Sequence, residues 1–178
     1  MSPVLNRMPI TPGLRKLALT THVTSSVGWL GAVVVFLALA IIGLTSQDPR
    51  TVRGVYLVME HAAWLTLVPF AFASLVTGIV VSLATTWGVF RHYWVVLKLL
   101  ITAFATVVLF IYMETFRQMA AAAADPVVNL NAVRNPSPLV HAVLAFLILL
   151  VATVLAIYKP QGVTPYGRRK QLEQRTES

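Results

Sequence analysis

Long blocks of apolar residues alternate with short polar stretches along this chain. The blocks run from Leu17 to Leu44, from about Gly54 to Leu83, from Tyr93 to about Arg117 and from Leu139 to Tyr158. Each reaches the roughly 20 residues that an α-helix needs to cross the hydrocarbon core of a bilayer. Amphipathic helices of a soluble core would show an apolar stripe repeating every 3.6 residues, with polar residues on the other face. Here whole segments are apolar all round, so the pattern predicts an all-α fold, a four-helix transmembrane bundle. The first block is too long for the core of a signal peptide and lacks a small-residue cleavage pattern, so it is expected to remain as a span.

The polar stretches divide the chain into residues 1–16 as an irregular N-terminal tail, 17–158 as the membrane domain and 159–178 as a basic, disordered C-terminal tail. Thr45–Arg53, with Ser46, Asp48 and Pro49, reads as a loop. Ala120–Pro138 reads as the longest loop, whose alanine-rich start can continue the third helix. Pro69 falls inside the second block and is expected to kink it, leaving a carbonyl that other groups must satisfy. Ser74, Gly78 and Ser82 form a small-residue stripe that lets another helix approach closely. Trp87, Tyr93 and Trp94 flank the turn between the second and third helices as an interfacial belt.

Composition sharpens the class: 57% of residues are hydrophobic and 11% charged. The formal charge of +8 sits in the tails and at span ends, which fits membrane orientation and not nucleic acid. Outside the spans, the tails and the Arg91 turn hold nine Lys and Arg, against four in the other two loops. By the positive-inside rule both termini are therefore expected in the cytoplasm. No cysteine is present, which excludes disulfides, thiolate metal sites and covalently attached c-type haem. No nucleotide-binding motif of a soluble domain appears.

Polar residues inside the blocks fall at two levels. Near the cytoplasmic end stand His22 on the first helix and Lys98 on the third, with His92 closer to the surface. At helical spacing His22, Ser25, Ser26 and Trp29 share one face, which should turn toward protein. Near the opposite end stand His61, His141, Glu60, Glu114, Met59 and Met113. Along one helix Lys98 and Glu114 are separated by about 24 Å, so the two levels cannot share one small ligand. A lysine within an apolar span costs about 2.5–3.5 kcal/mol on insertion scales, so Lys98 either snorkels to an interface or serves a site. An imidazole and an amine can ligate iron, carry protons or pair with a haem propionate. In the outer set, His61 and His141 could be two axial haem ligands, or join Glu114 and Met113 in a metal site suited to copper. Polar residues at a water boundary would look the same.

The runs THVTSSVGWLGAVVVFLALA and SLVTGIVVSLATTWGVFRHYWVVLKLLITAFATVVL resemble a group of uncharacterised actinobacterial four-span membrane proteins over most of residues 17–112. More distantly, the His near the start of helix one followed by Trp and Gly, with the HYWVVLKL run in helix three, is similar to the HemJ-type protoporphyrinogen oxidases and the CopD-type copper-resistance membrane domains. The HemJ resemblance implies His22 and Lys98 as a functional pair that binds haem b, although the longer loop before helix four and the basic tail depart from that pattern. The resemblances imply a multi-pass protein of the bacterial inner membrane. They leave open a haem or porphyrin site with a redox role, a copper site, or a scaffold subunit, with a membrane redox partner or a second copy as partner.

Overall fold

The computed structural model describes residues 11–85 and 88–176. The expectations that fall on Met1–Ile10 and on Trp87 lie outside the described residues. The chain folds into helices α1 (Pro12–Thr45), α2 (Pro49–Ala62), α3 (Val68–Ala84), α4 (Tyr93–Ala124), α5 (Leu130–Val133), α6 (Ser137–Tyr158) and α7 (Pro165–Thr176). A wide π-helical turn, Ala63–Leu67, joins α2 to α3 without a break. Four segments, Pro12–Thr45, Pro49–Ala84, Tyr93–Ala124 and Leu130–Tyr158, are long and apolar enough to cross a membrane. The all-α four-helix bundle of an integral membrane protein is thus the observed fold.

Several boundaries move from their sequence expectation, each for a local reason. The first helix starts at Pro12 and not at Leu17, because Pro12 is preset for a first helical turn and the Thr11 hydroxyl accepts from the Leu14 N–H at 3.3 Å. The expected loop Thr45–Arg53 shrinks, since Pro49 opens α2 and Asp48 caps it. The Asp48 carboxylate accepts from the N–H groups of Arg50 at 3.2 Å and Thr51 at 3.1 Å. The Thr51 hydroxyl, also bonded to it, and these amides hold that carboxyl below the usual aspartate range. The third helix runs on through the alanines to Ala124.

At Pro69 the chain meets the expected constraint with a widened turn. A proline ring crowds the carbonyl four residues earlier and offers no N–H. In the turn just before it, the Val68 N–H reaches Ala63 O, five residues back, and the Thr66 hydroxyl donates to Ala62 O at 2.7 Å. One extra residue in that turn accommodates the ring while the helix continues.

The C-terminal tail is a correction. It is not disordered over residues 159–176: Lys159 adopts a left-handed conformation that ends α6 ahead of Pro160, and the chain folds back. Thr164 donates its N–H to Arg91 O at 3.0 Å and its hydroxyl to Phe90 O at 2.6 Å, while the Tyr93 N–H donates to Gly162 O at 3.2 Å. The Thr164 hydroxyl also caps α7 by accepting from the Gly167 N–H at 3.1 Å. At Gly167 a Cβ would collide with Arg91 O, so only glycine allows this docking.

The spans form an up-and-down ring. α1 packs on the second and fourth spans, and α4 packs on the same two from the other side. The apolar core sits toward the end that carries the 46–48 and 125–136 loops, around Tyr56, Met59, Phe36, Phe116 and Val133. Phe36 of α1 meets Phe116 of α4 edge to face at 5.6 Å across the ring. Large apolar side chains such as Leu65, Ile111 and Phe104 stay exposed on the outside of all spans. In water this belt would be an aggregation surface; in a bilayer it is the lipid-facing surface.

Candidate functional site

The inner site grows from the polar turns of α1. His22, Ser25 and Trp29 are buried on one face, as the spacing requires, and Ser26 reaches the side. That face meets the small-residue stripe of α3. The Ser26 and Ser74 hydroxyls are 2.8 Å apart, and a Cβ on Gly78 would lie 3.0 Å from His22 Cε1. Gly78 therefore makes the niche into which the imidazole fits.

Within the niche both ring nitrogens are engaged. His22 Nδ1 lies 3.1 Å from Ser74 O and 3.1 Å from Thr77 Oγ1. A carbonyl only accepts, so Nδ1 carries the proton and donates. The Thr77 hydroxyl spends its own proton on Ala73 O. His22 Nε2 is then the acceptor, and Lys98 Nζ donates to it at 3.1 Å. Residues 22 and 98 thus meet across the ring, from spans that stand opposite each other in it, with α3 as the third wall. Beyond Lys98, the Thr102 and Thr106 hydroxyls each return to the carbonyl four residues back, at 2.8 Å. Trp29 stands seven residues past His22, about 10 Å further along the helix axis, and lines an apolar cavity with Phe36 and Tyr112. His92 lies at the α4 boundary, where its backbone pairs with Val163.

The outer residues are dispersed. His61 is exposed and bonds its own helix at Leu57 O, 3.1 Å away. Glu114 is exposed and paired with Arg117 at 2.6 Å and Gln118 at 2.9 Å. Met59 and Met113 are packed in the apolar core. His141 stacks on Tyr112, with ring centroids 4.0 Å apart, and holds Ser137 O at 2.9 Å through Nδ1. Among the described residues no three of His, Asp and Glu converge as a metal-binding group.

Two structural residues escaped the sequence reading. Arg53, read as a loop residue, caps the end of α4: Nη1 donates to Ala123 O at 3.0 Å and Asp125 O at 2.6 Å, and Nη2 to Val128 O at 2.6 Å. Tyr56 closes the same end by accepting from the Asn135 N–H at 3.1 Å. The only sequence signal was an arginine one turn into a helix that Asp48 and Pro49 begin. No protein-family model, curated protein or solved structure matches this chain.

Proposed function

We propose that this multi-pass protein resides in the bacterial inner membrane and holds a b-type haem or related porphyrin between its first and third spans, at His22 and Lys98, in a redox role. The observation that carries the reading is the 3.1 Å contact between His22 Nε2 and Lys98 Nζ. Two side chains that are costly inside a bilayer are brought together from distant parts of the sequence and walled by protein.

The donor set suits an iron ligand. Histidines that bind metals characteristically donate their other N–H to a carbonyl or carboxylate, which fixes the tautomer and aims the lone pair. Ser74 O and Thr77 serve His22 in that way. Lys98, carried on a flexible stem, would offer a second nitrogen to the iron. Alternatively its amine pairs with a propionate. Bound haem supplies one-electron chemistry; His22 holds the ligand nitrogen in place, Lys98 supplies a donor or a positive charge, and Gly78 keeps the niche open.

The test is the visible spectrum of protein purified in mild detergent after haem supplementation. The expected result is an intense haem band that shifts on reduction, weakened at least tenfold in His22→Ala and altered in position or retention in Lys98→Met, with helicity unchanged by circular dichroism. A colourless wild type overturns the reading. Haem retained in both variants but lost in His61→Ala or His141→Ala moves the site to the other end of the bundle.

A further inference from the structure

A cavity of about 210 Å³ opens between α1, α4 and α6, well separated from His22. Its walls are apolar and include the aromatic rings of Trp29, Phe36, Tyr112 and Phe116. Phe104 and Leu144 also line it, and both are more than half exposed, so its mouth faces the lipid. An apolar cavity of about 150 Å³ accepts benzene. This one therefore fits a single substituted six-membered ring and is too small for a tetrapyrrole.

One polar anchor, His141, lines the end of the cavity nearest the 125–136 loop. His141 Nδ1 lies 2.9 Å from Ser137 O and 3.3 Å from Ser137 Oγ; the carbonyl is the nearer partner and only accepts, which assigns the proton to Nδ1. Nε2 is left with a lone pair and bonds no group among the described residues. The Tyr112 hydroxyl is already donated to Ser137 Oγ at 2.9 Å. The stack of Tyr112 on the imidazole holds the ring in place. The cavity thus offers an acceptor, and its occupant has to bring a donor. A phospholipid tail has none, and an oxidised quinone brings only acceptors.

We propose that this cavity binds the headgroup of a lipid-soluble quinol, its ring among the aromatic side chains, one hydroxyl donating to His141 Nε2 and its tail leaving past Phe104 and Leu144 into the bilayer. The site is independent of any haem at His22.

The experiment titrates duroquinol, kept reduced with ascorbate, and its dimethyl ether into protein reconstituted in phosphatidylcholine nanodiscs, with empty nanodiscs as the partition control. Expected is saturable one-to-one binding of the quinol, with the ether roughly tenfold weaker, about the effect of one lost hydrogen bond. His141→Phe should bring the quinol down to the ether's affinity and leave the ether unchanged. Ala145→Phe, which fills the cavity, should remove both. Uptake no greater than that of empty nanodiscs overturns the proposal, as does equal affinity for quinol and ether, or quinol binding indifferent to His141→Phe. A phospholipid tail that co-purifies in the cavity and that duroquinol does not displace also overturns it. If Ala145→Phe does not fold, the ether comparison and His141→Phe decide alone.

Discussion

Lys98 is legible in the sequence because a charge within an apolar block has few ways to be stable, and His22 because it precedes a run of hydroxyls on one helical face. Depth and the family resemblance set the two side by side, but the geometry of their contact was not legible, since it spans 76 positions and depends on α3 packing against His22. The role of Ser74 and Thr77 was hidden for a related reason: the stripe that holds Ser74, with Thr77 beside it, also serves close packing, and packing alone says nothing about which carbonyl meets an imidazole. Arg53 illustrates the opposite case, a charge at a span end that looks solvated and yet ties two helices together. Its guanidinium covers carbonyls at the C-terminal end of α4, where the helix dipole is negative. Hydrogen bonds from a charged donor are worth about 1.5–3 kcal/mol each and are not additive. Arg53→Ala is expected to lower stability by about 2–3 kcal/mol. Arg53→Lys should recover only part, because an ammonium cannot span the same acceptors in a fixed fork. Reversible unfolding in mixed micelles measures both; an unchanged midpoint in Arg53→Ala removes the clamp from the account.

At the level of elements, the four spans follow from length and hydropathy alone, whereas their ends follow from capping chemistry. Thr11-Pro12 and Asp48-Pro49 are the same signal, a capping oxygen followed by a proline at the first helical position. The loop reading of Thr45–Arg53 gave Pro49 its role as a breaker and overlooked its role as a starter. The tail shows a different limit. Residues 165–176 have the composition of a solvated segment, and their order comes from non-local bonds to the Phe90–Tyr93 turn. Gly167 is the residue on which that docking turns, because a methyl there would collide with the Arg91 carbonyl. Gly167→Ala is therefore expected to release α7 while leaving the spans intact. A loss of about 1.4 kcal/mol in docking raises the open population, and with it the rate of tryptic cleavage at Arg168, Arg169 and Lys170, about tenfold. Cleavage at the wild-type rate would mean that the helix is held by something other than this contact.

For the whole molecule, the distribution of burial and of charge point to one arrangement. The exposed apolar belt places the bundle in a bilayer, and the four spans among the described residues put the start of α1 and the end of α6 at the same end of the bundle. The folded tail strengthens the charge argument: α7 is held against the Arg91 turn, so Arg91, Arg168, Arg169 and Lys170 all belong to one end of the bundle. Anionic headgroups of a cytoplasmic leaflet attract such a cluster by about 1 kcal/mol per basic residue near the surface. This end is accordingly expected in the cytoplasm, with His22 and Lys98 in the inner half of the membrane and the His141 end of the cavity in the outer half. Because the chain has no cysteine, single thiols can be introduced without background. Gln47 and Gln171 are both exposed, at opposite ends of the bundle. In intact cells a membrane-impermeant maleimide should label Gln47→Cys fully and Gln171→Cys only after permeabilisation. The reverse labelling would turn the bundle over, placing the His22 pair toward the outside and the cavity's polar anchor toward the cytoplasm, while leaving the internal geometry of both sites unchanged.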